Sequence, residues 1–95
     1  MDKILSNLGL CKKAGGVIAG ANMVCEYLAK HKIFYIFLAS DCAYNNKKMI
    51  HDKAKYYDVE VCESYSSLEL SAAIGLNDRM VVGITNKNFL KILKK

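Results

Sequence analysis

Ile33-Phe34-Tyr35-Ile36-Phe37-Leu38-Ala39 is an unbroken run of apolar, β-branched and aromatic residues. A strand with one wet face alternates apolar and polar side chains. A run without alternation predicts a central strand covered on both faces. Ser40-Asp41 closes it with turn-forming residues. A strand of this kind requires helices above and below the sheet that contains it.

Reading upstream, Ala21, Val24, Cys25 and Leu28 form the stripe of a helix that runs out at His31-Lys32. Gly20 precedes that helix, and Val17-Ile18-Ala19 before it suits a short strand. Residues 3–13 place Ile4, Leu5, Leu8 and Cys11 on another helical stripe, with Asp2 as its N-cap and Gly15-Gly16 as its stop. Downstream, a third helix is expected from Asn46 to Tyr57, capped by Asn45 or Asn46, burying Met49, Ile50, Ala54 and Tyr57. Val59 to Cys62 reads as a strand. Ser66-Ser67-Leu68-Glu69 matches a capping box that opens a helix through Ile74, closed by Gly75. Met80 to Ile84 is the last strand, and residues 87–94 are a terminal helix with Phe89, Leu90 and Leu93 inward. The order α-β-α-β-α-β-α-β-α predicts an α/β fold. The expected form is a three-layer α/β/α sandwich with a central four-stranded mixed sheet, one domain over residues 1–95.

Composition narrows the classes of function. The chain is 95 residues long and 53% hydrophobic, enough for one core, and it has no proline from which to build a rigid linker. Its longest apolar runs fall far short of the roughly 20 residues that span a bilayer. Met1-Asp2-Lys3 leads straight into a helical pattern rather than a cleavable leader. The expectation is a soluble cytoplasmic protein without a membrane partner. Cys11, Cys25, Cys42 and Cys62 are spaced 14, 17 and 20 residues apart, with neither a CxxC pair nor a His-x-x-x-His. That spacing argues against a metal site. Cys11, Cys25 and Cys62 fall on apolar stripes and are expected as buried thiols.

The net charge of +5 is unevenly divided. Residues 1–32 carry a surplus of three positive charges and 80–95 a surplus of four, whereas 59–79 are acidic by three. Basic ends suit a polyanionic partner, and equally a lysine-rich solvated surface.

No catalytic constellation emerges. Gly15-Gly16 and Gly20 are too few and wrongly spaced for a phosphate-cradling loop. His31 lies among lysines at a helix end, a capping position. His51 and Asp52 are sequence neighbours and so point to different faces of a helix. A Cys–His pair meets only in space, so the sequence leaves it open. The chain reads as a non-enzyme needing no cofactor and no small-molecule substrate.

Two segments fit a binding role. Gly20-Ala21-Asn22 puts an amide side chain in the first turn of a helix, just after a glycine that lets a foreign backbone approach. Asn22 has a donor and an acceptor for a base edge. The alternative is a plain turn with Asn22 satisfying the helix end. The loop from Gly75 to Met80 holds the apolar, apparently exposed Leu76 and the sole arginine, Arg79. Its planar fork suits phosphate and stacked bases, although an ordinary loop with one solvated arginine reads the same way.

The whole chain resembles the L7Ae/L30e ribosomal protein family, above all its short bacterial YlxQ-like members. The motifs are Leu8-Gly9-Leu10-Cys11-Lys12-Lys13-Ala14-Gly15-Gly16, Gly20-Ala21-Asn22, Leu38-Ala39-Ser40-Asp41-Cys42-Ala43 and Asn46-Lys47-Lys48. They continue with Lys55-Tyr56-Tyr57-Asp58-Val59, Leu70-Ser71-Ala72-Ala73-Ile74-Gly75 and Val81-Val82-Gly83-Ile84-Thr85. The resemblance implies an α/β/α sandwich that binds RNA kink-turns, bends built on tandem sheared G·A pairs, with ribosomal RNA or the ribosome as a candidate partner. It implies that Gly20, Ala21 and Asn22 meet the RNA and that Asp41 shapes the pocket. Ile74, Gly75, Leu76 and Asn77 would pack over a flipped-out base, with Lys12 and Lys13 as nearby phosphate contacts and Arg79 in the same loop. The family's strong binders carry Gly-x-Asn-Glu and a lysine four residues after the Asn. Here Met23 and Glu26 stand at those two places, Ala19 stands where a basic residue is common, and Gly16 replaces a common lysine. The departures predict altered kink-turn recognition. They also frame the competing reading, a protein-interaction module that kept the fold, with Met23, Glu26 and Leu76 as its contact patch.

Overall fold

The apolar run supplies the middle of the sheet. In a computed structural model describing residues 2–94, strand β2 is Tyr35–Leu38, buried at every position. It is flanked by β4 (Val81–Ile84), antiparallel with Leu38 opposite Val81, and by β3 (Val61–Cys62), parallel with Ile36 opposite Val61. The strand β1 (Val17–Ala19) joins the far side of β4, antiparallel, with Ala19 opposite Val82. The strand order is β1-β4-β2-β3, a mixed four-stranded sheet.

Helices α1 (Lys3–Lys13), α4 (Ser67–Ile74) and α5 (Leu90–Leu93) pack together, as do α2 (Ala21–Ala29) and α3 (Tyr44–Tyr56). The two groups form the outer layers of the α/β/α sandwich. Leu8, Val24, Leu28, Ile50 and Leu70 reach from the helices into the core around Ile36, Phe37 and Leu38, all with essentially no exposure. A fully buried side chain of this size contributes about 1.5–3 kcal/mol, so the two covered faces account for β2's freedom from polar residues.

Local chemistry sets most boundaries. Asp2 caps α1, its carboxylate accepting from the Ile4 N–H at 2.7 Å. Ser66 and Glu69 form the capping box of α4, and Gly75 ends that helix in the left-handed conformation. The Gly15-Gly16 stop divides into two roles. Gly15 takes the positive φ, whereas Gly16 answers a shortage of space: a Cβ there would lie 2.8 Å from Asn86 Cβ and 2.9 Å from Cys11 Sγ.

Other boundaries move. Helix α2 stops at Ala29, before His31, which turns to φ 57° with its ring edge-on to Tyr57 at 5.5 Å. Helix α3 starts at Tyr44, without a side-chain cap, so neither Asn45 nor Asn46 caps it. β3 is shorter than Val59–Cys62 because Asp58 adopts φ 58° and the Val59 N–H turns back to Ala54 O. The terminal segment begins as a 3-10 turn, Lys87–Phe89, with Asn86 as its cap, before becoming α5. Several stripe residues reach only the margin of the core: Ile4, Ala21, Cys25, Met49, Tyr57, Phe89 and Leu90 are half-buried.

Candidate nucleic-acid interface

Strand order decides which loops meet. β1 and β2 run antiparallel to the β4 strand between them, so their exits and its entry share one end of the sheet. There the Gly20 N–H donates to Val81 O at 2.8 Å and the Ala39 N–H to Met80 O at 2.8 Å. The turn before α2, the Ser40-Asp41 turn and the end of the 75–80 loop are thereby joined. The sequence gives the two candidate segments; the antiparallel pairing brings them together.

Gly20 has φ 105° and ψ 141°, with nothing within 4 Å of where a Cβ would stand. The constraint is backbone conformation, one that essentially only glycine adopts. Its result is an open helix start: Gly20 has no side chain to cap α2, and the first turn holds no acid. The first N–H to find a partner in the helix is that of Val24, to Gly20 O at 3.0 Å. The N–H groups of Ala21, Asn22 and Met23 lie ahead of it at the positive end of the helix dipole. Asn22 is exposed, and its amide makes no hydrogen bond to another described residue, so it does not satisfy its own helix end. Met23 is also exposed.

The second segment is more tightly held than the sequence suggests. Ile74 is buried in the core, and Leu76, expected on the surface, is half-buried against it. The cause is the turn after α4, in which the Leu76 N–H returns to Ser71 O at 2.9 Å and pulls the side chain inward. Gly75 and Asn77 remain exposed. Arg79 is half-buried; its backbone N–H donates to the Ser71 hydroxyl at 2.8 Å, while its buried Nε has no hydrogen-bond partner among the described residues. A buried donor left over is uncommon. Ser71, itself buried, was not singled out in the sequence; its signal is a lone hydroxyl between the core residues Leu70 and Ile74.

Asp41 faces α4. Its two oxygens accept from the Ser67 N–H and the Ser67 hydroxyl, each at 2.7 Å, and these bonds hold its carboxyl below the usual value of 3.8. It therefore braces the start of α4 against the β2 exit. Lys12 and Lys13 close the last turn of α1 and line, with Leu10, Ile74 and Gly75, a groove of about 420 Å³ between α1 and α4. They belong to the Gly75 side of the site. Of the residues at the family's departures, Glu26 is exposed and pairs with Lys30 at 3.4 Å, which offsets part of its charge.

The catalytic possibilities do not assemble. His51 bonds to Glu63, whose carboxyl is held low chiefly by that bond, and Asp52 pairs instead with Lys48 at 3.3 Å. All four cysteines are free thiols, and no hydrogen bond joins one to a histidine among the described residues. Their burial differs from the expectation: Cys11 and Cys42 are buried, while Cys25 and Cys62 are only half-buried. Cys25 lies at the edge of the α2 stripe and Cys62 on the outer strand. Burial pushes the Cys11 thiol up to about 11. Among the described residues no His, Cys, Asp and Glu group could hold a metal ion, and no helix is long and apolar enough to cross a membrane.

The α/β/α sandwich thus presents an uncapped, glycine-led helix start at the sheet end that the Arg79 loop enters. Residues 2–94 match the model of the ribosomal protein L7Ae/L30e/S12e/Gadd45 family, and the chain belongs to that family. It is a non-catalytic binding protein. It is 33% identical over 94 residues to the RNA-binding protein YlxQ of Enterococcus faecium, an alignment covering 99% of this chain and 90% of the relative. It is 30% identical over 82 residues to the RNA-binding protein YlxQ of Bacillus subtilis (strain 168), covering 86% of this chain and 82% of that protein. Among solved structures, a protein of unknown function from Bacillus halodurans C superposes with a TM-score of 0.94 at 29% identity, covering 98% and 94% of the two chains. The Giardia lamblia 15.5kD RNA binding protein shares the fold, with a TM-score of 0.79 at 16% identity over 96% of this chain and 78% of that one.

Proposed function

We propose that the chain is a non-catalytic RNA-binding protein, one domain over residues 1–95, that recognises a kink-turn or a related structured RNA. The observation that carries the reading is the open start of α2, with Gly20 hydrogen-bonded to the strand that the Arg79 loop enters. The N–H groups of Ala21 to Met23 and the Arg79 guanidinium supply donors to phosphate, and Lys12 and Lys13 extend them on the Gly75 side. Asn22 supplies the donor–acceptor pair for a base edge. Gly75, Leu76 and Asn77 supply a partly apolar ledge for an unstacked base. Asp41 acts through α4, holding the helix from which that ledge hangs. The names of the two curated relatives support RNA as the partner. Ribosomal RNA and a cytoplasmic, ribosome-associated location follow as the natural setting.

Replacing Asn22 with alanine tests the site. We expect the variant to bind a kink-turn RNA more weakly, by about 1–3 kcal/mol, with its thermal midpoint unchanged because the Asn22 side chain makes no hydrogen bond to another described residue. Unchanged affinity would remove Asn22 from the site. The competing reading, a protein-interaction module, is favoured by one observation, the exposure of Met23 and Met80 at this end of the sheet. It predicts that binding to structured RNA is absent or indifferent to salt, whereas phosphate contacts make affinity fall steeply as salt rises.

A further inference from the structure

Charge is concentrated a second time, away from the Gly20 turn. Segments 3–13 and 87–94 contain Lys3, Lys12, Lys13, Lys87, Lys91 and Lys94, and no carboxylate. They lie at opposite ends of the sequence, yet α1 packs on α5, and the Asn7 side-chain amide donates to Ile92 O at 2.9 Å. A groove of about 420 Å³ opens between the two helices, lined by Lys3, Lys91, Lys94, Ile4 and Ile92 and by one carboxylate, that of Asp2. The nearby acids are already engaged. Asp2 caps α1 and accepts from the Tyr65 hydroxyl at 3.1 Å, and Glu60 holds Lys94 at 2.7 Å. Lys3, Lys87 and Lys91 are exposed and form no ion pair with any described residue.

Unpaired lysines gathered on one short segment, as at Lys87 and Lys91, repel one another. A polyanion laid along the face relieves that repulsion. Helix α1 links this face to the site already proposed. It carries Lys3 at one end, on its α5 side, and Lys12 and Lys13 at the other, on its α4 side beside Gly75. At 1.5 Å per residue, the two ends are about 15 Å apart.

We propose that the α1–α5 face is a second phosphate-contact surface, taking the backbone of an RNA helix that flanks the structured element held at the Gly20 end. It rests on the RNA-binding reading above. The face carries chiefly lysines, and the Asn7 amide is engaged with Ile92 O. Its contribution is therefore affinity and orientation, with sequence left to the Gly20 end.

The test titrates the protein, the triple variant Lys3→Gln/Lys87→Gln/Lys91→Gln and Asn22→Ala against two RNAs. One is a minimal kink-turn hairpin and the other the same kink-turn with a long flanking helix, at about 50 mM and about 200 mM salt. The triple variant should bind the long RNA roughly tenfold more weakly, with a log–log salt slope shallower by about two to three. It should bind the minimal RNA like the parent and unfold at the same temperature. Parent-like affinity and slope on the long RNA would overturn the second surface, and so would an equal loss on both RNAs. Another overturning result is loss of binding to phosphatidylserine vesicles with long-RNA binding intact, which would assign the face to an anionic lipid surface. If Asn22→Ala loses both RNAs while the triple variant loses neither, only this inference falls. If the parent binds neither RNA, the RNA-binding reading falls and takes this one with it.

Discussion

Two helix starts stand close in this fold and are built in opposite ways. At α4 the Ser66 hydroxyl accepts from the Glu69 N–H, the Glu69 carboxylate accepts from the Ser66 N–H, and Asp41 takes both the N–H and the hydroxyl of Ser67. At α2 there is no capping side chain, no acid in the first turn, and a glycine in a conformation other residues avoid. The first start is sealed and serves stability. The second leaves donors at the positive end of a helix dipole and is available to a partner. Helix α3 also starts uncapped, but Asp41 and its negative charge lie two residues before its cap position. An unsealed helix end becomes informative when the surroundings leave room for an anion, as the open space beside Gly20 does here.

The contrast can be broken most severely at Gly20. Gly20→Val should cost about 1–3 kcal/mol of stability through backbone strain. It should also abolish measurable RNA binding by re-aiming the α2 N–H groups. Urea unfolding and an RNA titration of the same sample separate the two effects, and retained binding would show that the open start is not the contact.

The contrast can be sharpened by restoring the family's pattern on α2. Met23→Glu with Glu26→Lys should tighten kink-turn binding by about 1–3 kcal/mol, through a guanine-edge acceptor and a phosphate-facing charge. A titration showing no gain would mean that the RNA approaches α2 differently here.

At the sealed end, Ser66→Ala should lower stability by about 1 kcal/mol and leave RNA affinity unchanged, a difference visible in the thermal midpoint alone. The smallest effect is that of pH on the Asp41 brace. The folded state holds this carboxyl below 3.8, so its stabilising contribution is complete above that value and is lost as pH falls through the folded value. Asp41→Asn should flatten the acid side of the stability profile measured by urea midpoints, with a small loss near neutrality that disappears as pH falls.

The fold was legible where side-chain periodicity and caps carried the information. The run at 33–39 marked the covered strand, Asp2 and the Ser66 box marked two helix starts, and the resemblance was whole-length. Boundaries shifted where backbone geometry took over, as at His31 and Asp58, whose positive φ values ended elements early. The candidate site was legible as two segments and not as one place. Their union depends on β1 and β2 pairing across β4, a long-range fact that no local pattern encodes. Leu76 was misread for a related reason: a hydrogen bond back to Ser71 turns it inward. Asp41 was expected in the pocket, and its bonds to Ser67 depend on where α4 starts in space.

The most direct test of the central claim is a titration of the protein against a kink-turn RNA and the same RNA with its sheared G·A pairs replaced, at two salt concentrations. The account predicts salt-sensitive binding to the intact kink-turn that is lost when the G·A pairs are replaced. Equal binding to both RNAs, or binding to neither, would contradict it.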